Sequence, residues 1–298
     1  MSPLVSIIIP CYNQARFLSD ALDSALAQEY DALEIIVVND GSTDDFETRS
    51  APYQNDARVK IINQENRGLP AARNRGIRAA RGAYLKFLDA DDWLARACLA
   101  KQVAVFQAAP TLGLVYCDLV RVNAQGEQID DYSVARARRI LDGDILPSLL
   151  VGGYFTPQTA LVPRRALDQI GFFDETLGGS ADMELWMRLM CENYTARFVP
   201  EKLVYYRLHD ANMSQDTAHM QATHLRALDG IITRYPHRVA RALDELIREQ
   251  RRVDQDSAWA RETIAAQQQE IDALRHALNT RGVRAARALE RWSASWSR

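Results

Sequence analysis

Short apolar runs alternate with helical repeats along the first ninety residues. Val5–Ile9 is a β-branched run that stops at Pro10, which predicts a strand. Leu18, Ala21, Leu22, Ala25 and Leu26 then recur at helical spacing. Leu33–Val38 is apolar almost throughout, as strands buried between two layers of helices are. Val59–Ile62 and Ala83–Leu88 repeat the pattern, and a helix is predicted over 70–80, with Pro70 suited to its first position. This β-α-β-α alternation predicts a doubly wound α/β sheet. Such sheets bind ligands beyond the carboxyl ends of their strands, so the polar residues that follow each strand are the candidates for chemistry.

Beyond about residue 110 the pattern is mixed. Gly113–Asp118, Thr159–Val162 and Leu203–Arg207 read as strands and Ala181–Met190 as a helix. From about Gln221 the sequence is nearly all helical, with Pro236 breaking the first helix. Ile264, Ile271, Leu278, Ala285 and Trp292 recur every seven residues, a heptad seam weakened by Gln267 and Arg281. In the last turns Arg284, Arg287, Arg291 and Arg298 flank a stripe of Ala285, Leu289, Trp292 and Trp296, a pattern that suits an anionic membrane surface. The organisation expected is a catalytic domain over 1–220 and a helical extension over 221–298, able to self-associate or to dock on a membrane.

The composition, 47% hydrophobic and 25% charged over 298 residues, excludes wholesale disorder. The net charge of −3 gives no global basic field for nucleic acid. Four cysteines lie far apart with no C-x-x-C pair, which points to a reduced, cytoplasmic protein and away from a local zinc or redox site. The N-terminus lacks the basic and apolar regions of a signal peptide, and no apolar run reaches the ~20 residues of a membrane span.

Four clusters carry candidate chemistry. Tyr12 and Asp40-Gly41-Ser42 follow the first two strands; a carboxylate there can accept an N–H from a base, and Tyr12 can stack on it. Asp89, Asp91 and Asp92 follow Ala83–Leu88. Carboxylates this close repel unless a cation offsets them, and Mg²⁺ or Mn²⁺ bridging to a diphosphate is the natural partner. Asp92 is also placed to cap a following helix. Gly178-Gly179-Ser180 offers a mobile entry and an N-cap to the Ala181–Met190 helix. On that helix, Asp182 lies within about 60° of Leu185 and Trp186, whereas Glu184 is rotated about 200° away and is expected to face solvent. His209, with Arg207 beside it, closes the series.

The stretches SIIIPCYNQARFLSDALDSALAQ, IIVVNDGSTDD, NRGLPAARNRGIRAARGAYLKFLDADDW, SADMELWMRL and YYRLHDANMS, in this order over about residues 4–214, resemble the family 2 glycosyltransferases. The resemblance implies a GT-A-type Rossmann-like sheet with flanking helices and an inverting, metal-dependent transfer from a nucleotide-diphospho-sugar, with a UDP-sugar favoured. It implies that Pro10, Tyr12, Asp40, Arg73 and Asp89 hold the nucleotide. It gives Asp91 and His209 to Mg²⁺ or Mn²⁺, with Arg207 as a further diphosphate contact, and makes Asp182 the base. Asp89 and Asp91 match the family's DxD motif. Ala181 stands where the family more often has an acidic residue. The acceptor expected is a glycan or a lipid-linked glycan of cell-surface polysaccharide synthesis, at the inner face of the membrane. The alternatives are a nucleotidyltransferase that makes sugar nucleotides, or a degenerate scaffold. The first is disfavoured because the 11–16 loop contains no glycine, the second because Asp40, Asp89, Asp91 and Asp182 are all present.

Overall fold

The structure is a computed structural model that describes residues 2–134, 142–153, 155–213 and 216–254. The heptad seam and the arginine- and tryptophan-bearing turns lie outside the described residues.

The strands β1 (Val5–Cys11), β2 (Leu33–Asp40), β3 (Val59–Gln64) and β4 (Tyr84–Phe87) are parallel and ordered 3-2-1-4. Between them run α1 (Ala15–Leu26), α2 (Phe46–Ser50) and α3 (Leu69–Ala79). The apolar runs of β1 and β2 are buried along their whole length, as the lack of polar alternation requires. A helix on each side demands close approach: a Cβ on Gly76 of α3 would lie 2.3 Å from Cγ2 of Ile8. Ile8 is β-branched and cannot swing aside cheaply. Gly76→Ala is therefore expected to cost about 1–3 kcal/mol of stability, read as a lower Tm with an unchanged ligand profile.

The second half completes the same sheet. After the two-residue strand β5 (Trp93–Leu94) come α4 (Cys98–Ala108), β6 (Leu114–Val122), the short α5 (Leu146–Leu150), β7 (Ala160–Pro163), α6 (Arg164–Ile170), α7 (Ala181–Cys191) and β8 (Ala196–Arg207). The full order is β3-β2-β1-β4-β7-β6-β8-β5. β7 runs antiparallel to both β4 and β6, β6 and β8 are parallel, and β5 returns to pair with Trp93 opposite Tyr205. This is a mixed α/β sheet with flanking helices, as the alternation predicted. Helix α4 and strand β5 were not legible in the apolar pattern, because β5 has only two residues.

The C-terminal helices α8 (Thr217–Arg234) and α9 (Pro236–Asp254) are separated at Pro236, as expected. Helix α8 packs against the 3-10 turn Gly178–Ser180 and against α7, with Ser180 Oγ 2.9 Å from Thr223 Oγ1. Among the described residues no helix is long and apolar enough to cross a membrane.

Candidate active site

β1 pairs with β2 on one side and β4 on the other, so the chain changes winding direction beside β1. The crevice beyond the carboxyl ends of these strands is where such a sheet takes ligands. A cleft of about 700 Å³ opens there, lined among others by Pro10, Tyr12, Asp40, Arg73, Asp89, Asp91 and Asp182. These residues come from β1, β2, α3, the segment after β4 and the first turn of α7.

At the nucleotide end Tyr12 is 47% exposed, leaving its ring open at the mouth of the cleft. Asp40 is buried and already engaged. It accepts from Gln64 Nε2 at 2.7 Å, from the Arg67 N–H at 2.9 Å and from the Gly68 N–H at 2.9 Å. It thus fixes the 66–68 loop over β2. Gly41, at φ +76°, lets that loop come close: a Cβ there would lie 2.7 Å from the Asn66 nitrogen. Asp44 accepts from the Ala15 N–H at 2.9 Å, supplying the cap that α1 lacks at Gln14.

The acidic segment lies in the middle. Arg73, 3% exposed, donates from its guanidinium to Asp89 Oδ1 at 2.7 Å. Burial pushes the Asp89 carboxyl up, and Arg73 opposes that shift. Asp92 is fully buried, and burial together with Asp91 and Asp89 pushes its carboxyl well up. The expectation that Asp92 caps a helix is not met. Strand β5 follows it, and its carboxylate accepts from the Arg207 N–H at 2.7 Å and from Gln158 Nε2. Asp91 Oδ2 lies 3.0 Å from His209 Nε2.

Among the described residues there is no group of three or more His, Cys, Asp or Glu side chains that could hold a metal by itself. Asp91 and His209 fit a different arrangement, two protein ligands to a cation whose other positions are filled by phosphate and water. The imidazole makes that pair better suited to Mn²⁺ than to Mg²⁺.

Arg207, expected as a diphosphate contact, is buried and engaged within the protein. Its guanidinium binds Asp20, the Asp91 carbonyl at 2.8 Å and the Ala124 carbonyl at 2.8 Å, and it lies between the Phe17 and Trp93 rings. These partners make it a buried strut beneath the acidic segment.

Asp182 also lines the cleft, from the first turn of α7. Burial pushes its carboxyl up to about 6, while Arg73 pulls the other way. A carboxylate poised near neutrality in a cleft is suited to taking a proton. Glu184 does not face solvent as the helical rotation suggested. It pairs with the buried Arg188 at 2.7 Å, and Arg188 also holds the Ile170 and Phe172 carbonyls at 2.6 and 2.7 Å. The loop before α7 folds over this side of the helix and removes it from water. Gly178 and Gly179, expected as a mobile entry, are packed against α8. They form an ordered 3-10 turn, and a Cβ on Gly179 would lie 2.4 Å from Met220 Sδ of α8. Ser180 occupies the N-cap position of α7, but its hydroxyl turns to Thr223 instead of capping.

Two cleft residues carried no signal in the sequence. Gln158 and Thr156 lie on or beside the 3-10 turn Pro157–Thr159, and only the pairing of β7 with β4 brings them beside Asp89.

The family model described as "Glycosyl transferase family 2" matches residues 6–170, more than half of the chain. An uncharacterized glycosyltransferase of Rickettsia typhi is 35% identical over 234 residues, covering 76% of this chain and 70% of that protein. The chain therefore belongs to glycosyltransferase family 2. Among solved structures, Staphylococcus aureus TarS 1-349 in complex with UDP superposes with a TM-score of 0.65 at 16% identity, covering 99% of this chain and 91% of that one. The mannosyltransferase PcManGT of Pyrobaculum calidifontis, in complex with GDP-Man and Mn²⁺, gives 0.58 at 22% identity, over 99% and 87%. At these identities the likeness concerns the fold, which is the GT-A sheet expected from the sequence.

Proposed function

We propose that the chain is an inverting, hexosyltransferase-type enzyme. It moves a sugar from a nucleotide-diphospho-sugar to a hydroxyl of a glycan or lipid-linked acceptor. The observation that carries this reading is the half-buried carboxyl of Asp182, pushed up to about 6 by burial, in one cleft with Asp89 and Asp91. Asp182 takes the proton of the acceptor hydroxyl as its oxygen attacks the anomeric carbon. Attack from the side opposite the leaving diphosphate inverts that centre. Arg73 and Asp89 hold the nucleotide-sugar in line with Asp182, and Pro10, Tyr12 and Asp40 form the seat of the base. Asp91 and His209 would hold Mg²⁺ or Mn²⁺, which when bound neutralises charge on the departing diphosphate.

A UDP-sugar is the favoured donor. TarS neighbours in complex with UDP and UDP-GlcNAc support that choice, and the GDP-Man complex of PcManGT keeps guanine in the test. A place in cell-surface polysaccharide synthesis at the inner face of the membrane, with 221–298 as the docking or self-associating part, belongs to the same proposal. The test is a panel of UDP-, GDP- and dTDP-sugars with Mn²⁺, read as donor hydrolysis and as transfer to glycosides, with anomeric configuration followed by NMR. Retention of configuration, or turnover with no donor, rejects the reading.

A further inference from the structure

We infer that Gln158 reads the transferred sugar. Its side-chain carbonyl is a specificity-determining acceptor for a hydrogen-bond-donating group, a hydroxyl or an amide N–H, on that sugar. The inference rests on the nucleotide-sugar reading of the cleft. Gln158 is 1% exposed and lines the cleft together with Arg73, Asp89, Asp91 and Asp182. One amide hydrogen goes to Asp89 Oδ2 at 2.9 Å and the other to Asp92 Oδ2. A primary amide has only two such hydrogens, so the nitrogen is spent. The pairing also fixes the orientation of the amide. Turning it over would set its oxygen against Asp89, the carboxylate that Arg73 holds, and leave an N–H unpaired.

Gln158 Oε1 is left without a hydrogen-bond partner among the described residues, although it is buried. Thr156 Oγ1, two residues earlier and on the same cleft, is likewise unpartnered. A buried acceptor with no donor is costly, and native structures rarely leave one without a ligand or water to satisfy it. The location says which ligand. Asp91 marks the diphosphate end and Asp182 the attacked face, so the sugar lies between them, where Gln158 touches Asp89.

The chemistry then selects the sugar. A carbonyl oxygen accepts and cannot donate, so the group facing it carries a hydrogen. A deoxy position leaves the oxygen orphaned. The carboxylate of a uronic acid at that place meets an acceptor backed by Asp89 and Asp92 and is repelled. The donor class is a neutral sugar with a hydroxyl or amide N–H at this position.

The experiment uses the full chain and the donor that the panel selects. Deoxy analogues of that donor, one per hydroxyl, and the N-acetyl and hydroxyl forms where they differ, are compared with the parent on wild type and Gln158→Met. Methionine keeps the length and removes the amide. Wild type is expected to lose 10-fold or more in kcat/KM on one analogue, and Gln158→Met to lose at least 10-fold on the parent yet no more on that analogue. Binding of the free nucleoside diphosphate with Mn²⁺, measured by calorimetry, is expected to stay within 3-fold. Losses that add for every analogue overturn the inference, as does full parent activity in Gln158→Met. A fall of more than 10-fold in nucleoside diphosphate binding also overturns it, because Gln158 would then only support Asp89. Failure of wild type with every donor instead rejects the nucleotide-sugar reading, and this inference falls with it.

Discussion

Asp182→Asn lowers sugar transfer by about 10²-fold or more while nucleoside diphosphate binding stays nearly unchanged, because the substitution removes the base and keeps the shape. The acid limb of the wild-type kcat/KM profile falls near pH 6, where the raised carboxyl of Asp182 takes its proton. The limb is absent from the residual activity of the variant. The same shift makes the variant more stable. Burial raises the native pKa above the unfolded value, so the native state gives up stability as pH rises from about 4 to about 6 and regains it on acidification. Discounted for the open side of the cleft, that cost at pH 7 is about 1–2 kcal/mol, and Asp182→Asn recovers it as a higher Tm. A variant with more than about a tenth of wild-type transfer removes Asp182 from the role of base, and no gain in Tm at pH 7 shows that burial does not hold its carboxyl up.

The second large effect is at Asp91. Asp91→Ala is expected to weaken Mn²⁺-dependent nucleotide binding by about 10-fold or more, since a hard cation loses its carboxylate and His209 remains alone. Without metal the sign reverses. Asp91 helps to raise the carboxyl of Asp92 and of Asp89, so removing its charge relieves repulsion and raises the metal-free Tm. Thermal unfolding with and without Mn²⁺ plus UDP separates the two effects: the wild type gains stability from the pair, and the variant starts higher and gains little. Equal wild-type turnover in EDTA and in Mn²⁺ would show that the acidic segment only shapes a turn.

What the sequence disclosed follows a physical line. The parallel strands were legible because burial on both faces writes a continuous apolar run, as in Ile7–Ile9 and Ile35–Val38. Cleft residues that follow those strands were legible for the same reason: Pro10, Tyr12, Asp40, Asp89 and Asp91 sit at strand ends. Asp182 was legible from helical rotation, because one carboxylate shared the apolar side. The same argument failed for Glu184, since rotation about a helix axis says nothing of a loop that folds over the polar side and brings the Ile170 and Phe172 carbonyls to Arg188. The helix cap expected at Asp92 was lost because the two-residue β5 follows it and pairs with β8. Gln158 lay beyond any local reading. Its neighbours in the fold, Asp89 and Asp92, are 69 and 66 positions away, and nothing in Thr-Pro-Gln-Thr announces a partner there.

The order of strands in the sheet also bears on how the protein comes off the ribosome. Synthesis delivers the N-terminal end first, and the 3-2-1-4 unit with its three clustered carboxylates is complete soon after residue 92. The groups that settle that cluster arrive much later: Gln158 with β7, then the Arg207 N–H and His209 at the end of β8. From residue 92 until β7 begins at Ala160 the nascent chain therefore carries an acidic strand end that Arg73 offsets only in part, and an open β4 edge that β7 has yet to cover. Stalling translation between residues 100 and 150 should leave a half-sheet that is sensitive to protease and to added divalent cation. Release beyond residue 210 should seal it in one step, so that protease resistance and nucleotide binding appear together.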